Sequence, residues 1–219
     1  MKPRLQTAFA LAALAGIVAF STAPAASAAG HGRVRAVYVA HLQPMNSAVT
    51  GTRTTGEARF EIRGRDLVID IKVEHAPPSM THWQHFHGFK DGQAATCPGP
   101  SADKNGDGIV DLIETEPASG TTMVPFDDAP AKMDVAHGIY PQASADGSYT
   151  YHEVVPLKAL RAAFAGAFGA HRIDLDKRVV YIHGVPADTK LPATVASLGP
   201  IPAQVTLPIA CGRIERVRR

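Results

Sequence analysis

Histidines are concentrated in the segment Thr81–Gly88, which reads Thr-His-Trp-Gln-His-Phe-His-Gly. His85 and His87 are two positions apart, and on a β-strand this spacing places both side chains on the same face. Two imidazoles that share a face suit a copper or zinc ion, because both metals favour imidazole nitrogen. The spacing alone fits equally well two surface histidines on an edge strand.

Another histidine follows an apolar run near the C-terminus. Arg178–Gly184 reads Arg-Val-Val-Tyr-Ile-His-Gly, so His183 ends a predicted buried strand. A histidine in this position can point towards a site at the surface of a β-barrel. Taken alone, it is better explained as a capping or hydrogen-bonded residue.

Residues 103–114 match the calcium-loop pattern D-x-[DN]-x-[DN]-G-x5-E at every position. Calcium binds about six to eight oxygen atoms, and carboxylates this close together repel one another unless a cation lies between them. The alternative is a solvated Asp/Gly turn. The expected ligands are the side chains of Asp103, Asn105, Asp107, Asp111 and Glu114 and the carbonyl of Ile109.

Prolines flank this loop on both sides. Pro98 and Pro100 exclude a regular entering helix, and Pro117 is expected to end an exiting helix early. A calcium sensor needs helices that move when the ion binds. The sequence therefore predicts structural calcium, which holds a loop in place.

The remaining sequence from residue 34 to residue 217 alternates between apolar and polar residues, with Gly, Pro, Asn and Asp at the breaks. This pattern is typical of strands joined by turns, and Gly64-Arg65 indicates a hairpin. Predicted strands cover Val34–Ala40, Gly56–Ile62, Asp66–Glu74, His82–Phe89, Tyr149–Val155, Arg178–Val185 and Gln204–Val217.

Three segments depart from the strand pattern. Leu157–Phe168 has the apolar periodicity of one short helix, which we expect to cross an end of the barrel. Residues 90–148 and 186–203 are predicted as long loops. Long loops in a compact β domain usually carry function or a metal.

The N-terminus has the features of a secretory signal peptide over residues 1–28. Lys2 and Arg4 precede an apolar run from Ala8 to Phe20, and Ala26-Ser27-Ala28 is a typical cleavage site. We therefore expect a periplasmic or secreted β domain over residues 29–219. Loss of Lys2 and Arg4 leaves equal numbers of basic and acidic side chains, which argues against nucleic acid as a partner. No later stretch is long enough for a membrane helix.

Cys97 and Cys211 are the only cysteines. Export would place them in an oxidising compartment, so one disulfide is expected between them. The alternative is two free buried thiols.

These features together resemble the Cu/Zn superoxide dismutase family and the related CHRD-type modules. The motif Gly-x-Ala-x-Phe, then an alternating strand, then His-x-x-His-x-His-Gly is similar to the first half of such enzymes. Cys97, the run Val-Val-Tyr-Ile-His183 and the run Leu207–Ile214 resemble their first cysteine, their last copper-binding strand and their C-terminal strand. The resemblance implies an all-β Greek-key sandwich or barrel. It also implies that His85, His87 and His183 are copper ligands and the catalytic set, with His82 close by but not bound to metal.

The chain departs from that family in two respects. No histidine lies between His87 and His137, so the family's zinc site is expected to be absent, and His137 is the candidate for a fourth copper ligand. The family also has an arginine three residues before its last cysteine that guides superoxide, and Pro208 occupies this position here. Two hypotheses follow: a copper protein that dismutates superoxide, or a non-enzymatic calcium-binding module with a degenerate copper site.

Overall fold

The computed structural model describes residues 32–170 and 172–218, so the expected signal segment 1–28 lies outside the described residues. The strands of this part form one antiparallel sheet. They are β1 (Val34–Pro44), β2 (Thr55–Arg63), β3 (Asp66–Glu74), β4 (Gln84–Gly88), β5 (Thr121–Pro125), β6 (Tyr149–Pro156), β7 (Val179–His183) and β8 (Pro208–Arg216).

The helices of the described residues are short. None of them is long and apolar enough to cross a membrane. They are α1 (Ser47–Thr50), α2 (Leu112–Ser119), α3 (Leu157–Phe168) and α4 (Ala203–Thr206), and 3₁₀ turns lie at Pro100–Ala102, Pro130–Lys132 and Leu175–Lys177.

The strands are arranged in the order β5-β4-β7-β8-β1-β2-β3-β6. Strand β4 does not pair with β3, because the chain crosses over and places β4 between β5 and β7. Strands β5 and β6 follow each other in the sequence yet lie at opposite ends of this order. Crossovers of this kind are typical of Greek-key folds. The predicted all-β sandwich or barrel class is confirmed.

The β2–β3 hairpin forms as its alternating pattern predicts, with the turn at Gly64-Arg65. Phe60 pairs with Ile69, and Ala58 pairs with Ile71. All four side chains are buried in the main core, so register and burial stabilise the same pairing. Helix α3 has the predicted bounds and inserts Leu157, Leu160 and Phe164 into the same core.

The segment 90–148, predicted as a loop, contains regular structure. Strand β5 pairs with β4. Helix α2 begins within residues 103–114, which we call the acidic loop, and it contains Pro117. The helix ends at Ser119, two positions after Pro117, so the early end expected from this proline is confirmed. A capping box stabilises its start, because Asp111 accepts from the backbone N–H groups of Ile113 and Glu114 while Glu114 bonds back to the N–H of Asp111.

Strands β4 and β7 are covered on both faces, which explains why all their residues are buried. Phe86, Val180 and Ile182 belong to the main core. On the opposite face, Tyr181 packs with Ala95, Val179 and Cys211 in a second cluster that we call the outer cluster. The predicted Cys97–Cys211 disulfide is confirmed, and it attaches the chain leading into the acidic loop to β8.

The disulfide should contribute strongly to stability, because it joins residues 114 positions apart. In the chain-entropy model, a closed loop of this length stabilises the folded state by about 4–5 kcal/mol. We expect Cys97→Ser/Cys211→Ser to lower the free energy of unfolding in urea by about that amount. A loss below about 1 kcal/mol would show that the bridge adds little to this fold.

Candidate metal centre

Three histidines meet on the outward face of β4 and β7. His85 and His87 lie on β4, His183 ends β7, and one ring nitrogen from each lies within 4.8 Å of the other two. In the described part of the chain, no other group of three or more His, Cys, Asp or Glu side chains is gathered in this way. The residues are only 3%, 1% and 2% exposed, so the rings are shielded from bulk water. We call these residues the histidine trio.

Backbone carbonyls define the orientation of two of the rings. His183 Nδ1 lies 2.7 Å from the carbonyl oxygen of Thr206, and His87 Nδ1 lies 3.4 Å from that of Gly120. A carbonyl can only accept, so in both rings Nδ1 carries the hydrogen and Nε2 keeps its lone pair. The third ring presents Nδ1, since His85 Nδ1 lies 3.1 Å from His87 Nε2.

One specific observation indicates that the trio is suited to bind a metal ion. The Nε2 atom of His183 is buried and has no hydrogen-bond partner. A buried polar atom without a partner is costly, and a neutral imidazole nitrogen in this state is an ordinary metal ligand. Carbonyls that hold the opposite ring nitrogens are the usual supports of metal-bound histidines.

Burial keeps the trio neutral. Desolvation, with a smaller effect from the neighbouring rings, lowers the pKa of His87 to about 3 and holds that of His85 well below its usual value. Desolvation also lowers the pKa of His183 to about 4. At neutral pH the three rings are therefore uncharged imidazoles, and metal binding would not have to compete with their protonation.

Two neighbours of the trio were not recognised from the sequence. The Tyr181 ring centroid lies 4.6 Å from that of His87, and the Tyr181 hydroxyl bonds to Ser119 at 2.6 Å. Thr122 Oγ1 lies 3.1 Å from His87 Nε2. A signal for Tyr181 was present, because it precedes His183 by two positions and so shares its face of the strand.

His82 lies beside the trio without joining it. Its ring nitrogens lie 2.9 Å from the carbonyl oxygen of His183 and 2.8 Å from that of Pro77, and its ring stacks on Tyr149. Burial lowers the pKa of His82, although both of these hydrogen bonds oppose that effect. The residue therefore packs behind the backbone that carries His183.

The structure does not bring His137 to the trio. Its side chain is 81% exposed, and its Nδ1 lies 2.9 Å from Asp134 Oδ1. The residue belongs to the connection between β5 and β6, and it is not part of the group of histidines that could hold a metal. Pro208, by contrast, lies close to the trio, because it pairs with His183 across β7 and β8.

The acidic loop 103–114 folds around its own backbone. Asp103 accepts from the N–H groups of Gly106, Asp107 and Gly108, and Asn105 Oδ1 accepts from Asp107 N–H at 2.9 Å. Glu114 accepts from the N–H groups of Lys104, Asn105 and Asp111. Ile109 is buried in the main core. The loop's carboxylates are not gathered around a common point as the histidines are.

The acidic loop is connected to the chain segments on both sides of the trio. Helix α2 leads directly from Asp111 to Gly120 and Thr122, which both approach His87. On the other side, Asp111 Oδ2 accepts from Ala196 N–H at 2.7 Å, and Asp107 Oδ2 accepts from the Thr194 hydroxyl at 2.6 Å. The segment that contains Thr194 and Ala196 joins His183 to Thr206.

Asn46 joins the acidic loop to strand β8, and its role was also not recognised from the sequence. Its amide donates to the carbonyls of Val110 and Pro208 and accepts from Val110 N–H, each at 2.9 Å. The acidic loop is therefore attached to the strand that lies beside His183.

Comparisons with known proteins add no relative. No protein-family model matches the chain, and a search of curated proteins finds no match. The chemistry of the trio therefore rests on the geometry described above.

The metal-free protein should lose stability in acid because of the trio. Below pH 6.5 the unfolded chain protonates these histidines, whereas the folded chain resists protonation until about pH 3 to 4 for His87 and His183. Acid therefore favours unfolding, by up to about 1.4 kcal/mol per pH unit for each ring. The test is a series of urea titrations with chelator between about pH 4 and pH 6.5. We expect His87→Phe to lower the dependence of the free energy of unfolding on pH by the contribution of one ring, up to about 1.4 kcal/mol per pH unit.

The matched control is His75→Asn, which changes an exposed histidine that follows β3 and forms no ion pair with the residues the structure describes. It should leave the slope unchanged. Equal slopes for wild type and His87→Phe would mean that the ring of His87 is already charged in the folded protein.

Proposed function

We propose that this is an exported metal-binding protein in which His85, His87 and His183 hold a copper ion. The proposal rests on the buried Nε2 of His183, which has no hydrogen-bond partner, and on the gathering of one ring nitrogen from each histidine within 4.8 Å of the others. The disulfide fits an oxidising compartment. Copper bound there would supply one-electron redox chemistry, and the chain's own residues would hold the ion, orient its ligands and exclude bulk water.

Copper is favoured over other divalent metals by the donor set. The gathered atoms are all imidazole nitrogens, without carboxylate or thiolate. Calcium and magnesium prefer oxygen, and among first-row metals nitrogen sites bind copper more tightly than zinc. The resemblance to the superoxide dismutase family points to the same metal.

Dismutation of superoxide is the reaction that this resemblance suggests, with the trio as the catalytic ligands. Two observations favour instead a non-enzymatic module of CHRD type. Pro208 lies opposite His183 where the family has a guiding cation, so steering of a small anion would be weak. The near-complete burial of the trio also restricts the approach of superoxide.

We also propose that residues 103–114 bind structural calcium. The sequence matches the calcium-loop pattern at every position, and Gly106 and Gly108 both have positive φ angles, of 75° and 83°. Binding would require Asp103, Asp107 and Glu114 to turn oxygens from backbone N–H groups to the ion. Because α2 and the 186–203 segment connect this loop to His87 and His183, calcium would also stiffen the wall around the trio.

Copper binding tests the central proposal. We expect about one copper per chain by elemental analysis after copper is offered and excess is removed, together with an electron paramagnetic resonance signal showing nitrogen ligands. His183→Ala should weaken copper binding by more than about a hundredfold in competition with a chelator, because a direct ligand is lost.

His137→Ala is the control for this variant and should bind copper like the wild type, since His137 is exposed and lies outside the trio. If elemental analysis finds calcium but no copper, the copper proposal is contradicted, and the non-enzymatic calcium-binding module remains as the function. If copper binds, a superoxide assay of the loaded wild type against His183→Ala decides between the two functions.

Calcium should stabilise the folded chain. At a calcium concentration of about one hundred times the dissociation constant, linkage predicts a gain of about 2.7 kcal/mol in the free energy of unfolding. Glu114→Gln should abolish this gain, because the last ligand of the loop is lost. Glu116→Gln, an exposed acid in the same helix outside the pattern, should retain it. A calcium effect that is equal in both variants would place the ion elsewhere.

A further inference from the structure

Arginines line three clefts at one end of the barrel. The largest, of about 740 Å³, lies between the start of β1 and the end of β8 and is lined by Arg35, Arg213, Arg216 and Arg218. Arg216 also lines a second cleft of about 500 Å³, which leads towards α3. Because they share residues, these clefts form one continuous surface.

The surface extends further on both sides. Arg161 and Arg172 line the second cleft, and Arg33 and Arg65 line a third of about 650 Å³ that shares Arg35 with the first. All eight arginines are exposed. We call this surface the arginine face.

The positive charge of the arginine face is largely uncompensated. Eight arginines line the clefts, against the three carboxylates of Asp174, Asp176 and Glu215. Among the residues that the structure describes, only Arg172 of the eight forms an ion pair, with Asp174 at 2.8 Å. Elsewhere, Arg59 and Arg63 both form ion pairs with Glu61. The face is therefore a concentrated positive field on a chain with almost no net charge.

The arginine face is remote from the histidine trio. Pro208 pairs with His183 at one end of β8, and Arg216 ends the strand. Eight steps along an extended strand span about 26 Å. The face can therefore hold a partner without covering the trio.

We propose that the arginine face binds a linear anionic polysaccharide bearing sulfate or phosphate groups. Guanidinium groups bind such oxyanions with two parallel hydrogen bonds, and connected clefts suit an extended chain better than a compact ligand. This proposal does not depend on either metal site.

Two other polyanions fit the face less well. A lipid surface is bound most firmly through apolar anchors, and of the large exposed apolar residues in the described part of the chain only Val217 lines one of these three clefts. Single-stranded nucleic acid is held by aromatic stacking, and the only aromatic residue in the three linings is the half-buried Tyr38.

The test is a titration of fluorescent dextran sulfate with the metal-free protein at physiological salt, with neutral dextran as the uncharged probe. We expect saturable, salt-sensitive binding of dextran sulfate and none of neutral dextran. Arg35→Ser/Arg216→Ser should weaken binding by about fivefold or more, because two exposed charge contacts are lost.

The control Arg53→Ser/Lys190→Ser removes the same charge outside the clefts and should bind like the wild type. If both double variants bind dextran sulfate equally weakly, the effect depends only on the net charge of the chain, and the proposal is overturned. Tighter binding of anionic lipid vesicles or of duplex DNA through the same arginines would overturn the choice of partner. If Arg35→Ser/Arg216→Ser lowers the melting temperature, Arg161→Ser/Arg172→Ser replaces it.

Discussion

Three neutral imidazoles are enclosed between the outward face of β4–β7 and the segments that cover it, and this enclosure constrains everything around them. Carbonyls of Gly120 and Thr206 satisfy one nitrogen of His87 and of His183, which directs the other nitrogens inward. The inward atoms have few partners other than one another, and His183 Nε2 has none. Gly120 caps the end of α2 and Thr206 follows the 186–203 segment, and the disulfide, Asn46 and the acidic loop all attach to the chain near these two carbonyls.

Short-range patterns predicted much of this arrangement. The β2–β3 hairpin and α3 depend on local periodicity and turn chemistry, and both formed as predicted. His85 and His87 share a face because strand geometry requires it. Their meeting with His183 depends on β4 and β7 becoming neighbours, a long-range pairing that only the family resemblance indicated.

The features that were missed depend on tertiary contacts. Strand β5 is short, lies at the sheet edge and ends in Pro125, so its sequence carries little strand signal. The position of His137 depends on the connection between β5 and β6, which has no periodic pattern. Asn46 acts through backbone groups that only the folded chain brings near.

The disulfide has a further consequence for where the centre can mature. Cys97 begins the segment that leads through α2 to Gly120 and Thr122, and Cys211 pairs with Tyr181 within the outer cluster. In a reducing compartment this segment would lack its covalent tether, and the wall around His87 would be less firmly held. Metal affinity and the redox state of the two cysteines would therefore be coupled, so that the reduced chain would compete less well for a scarce ion than the oxidised chain.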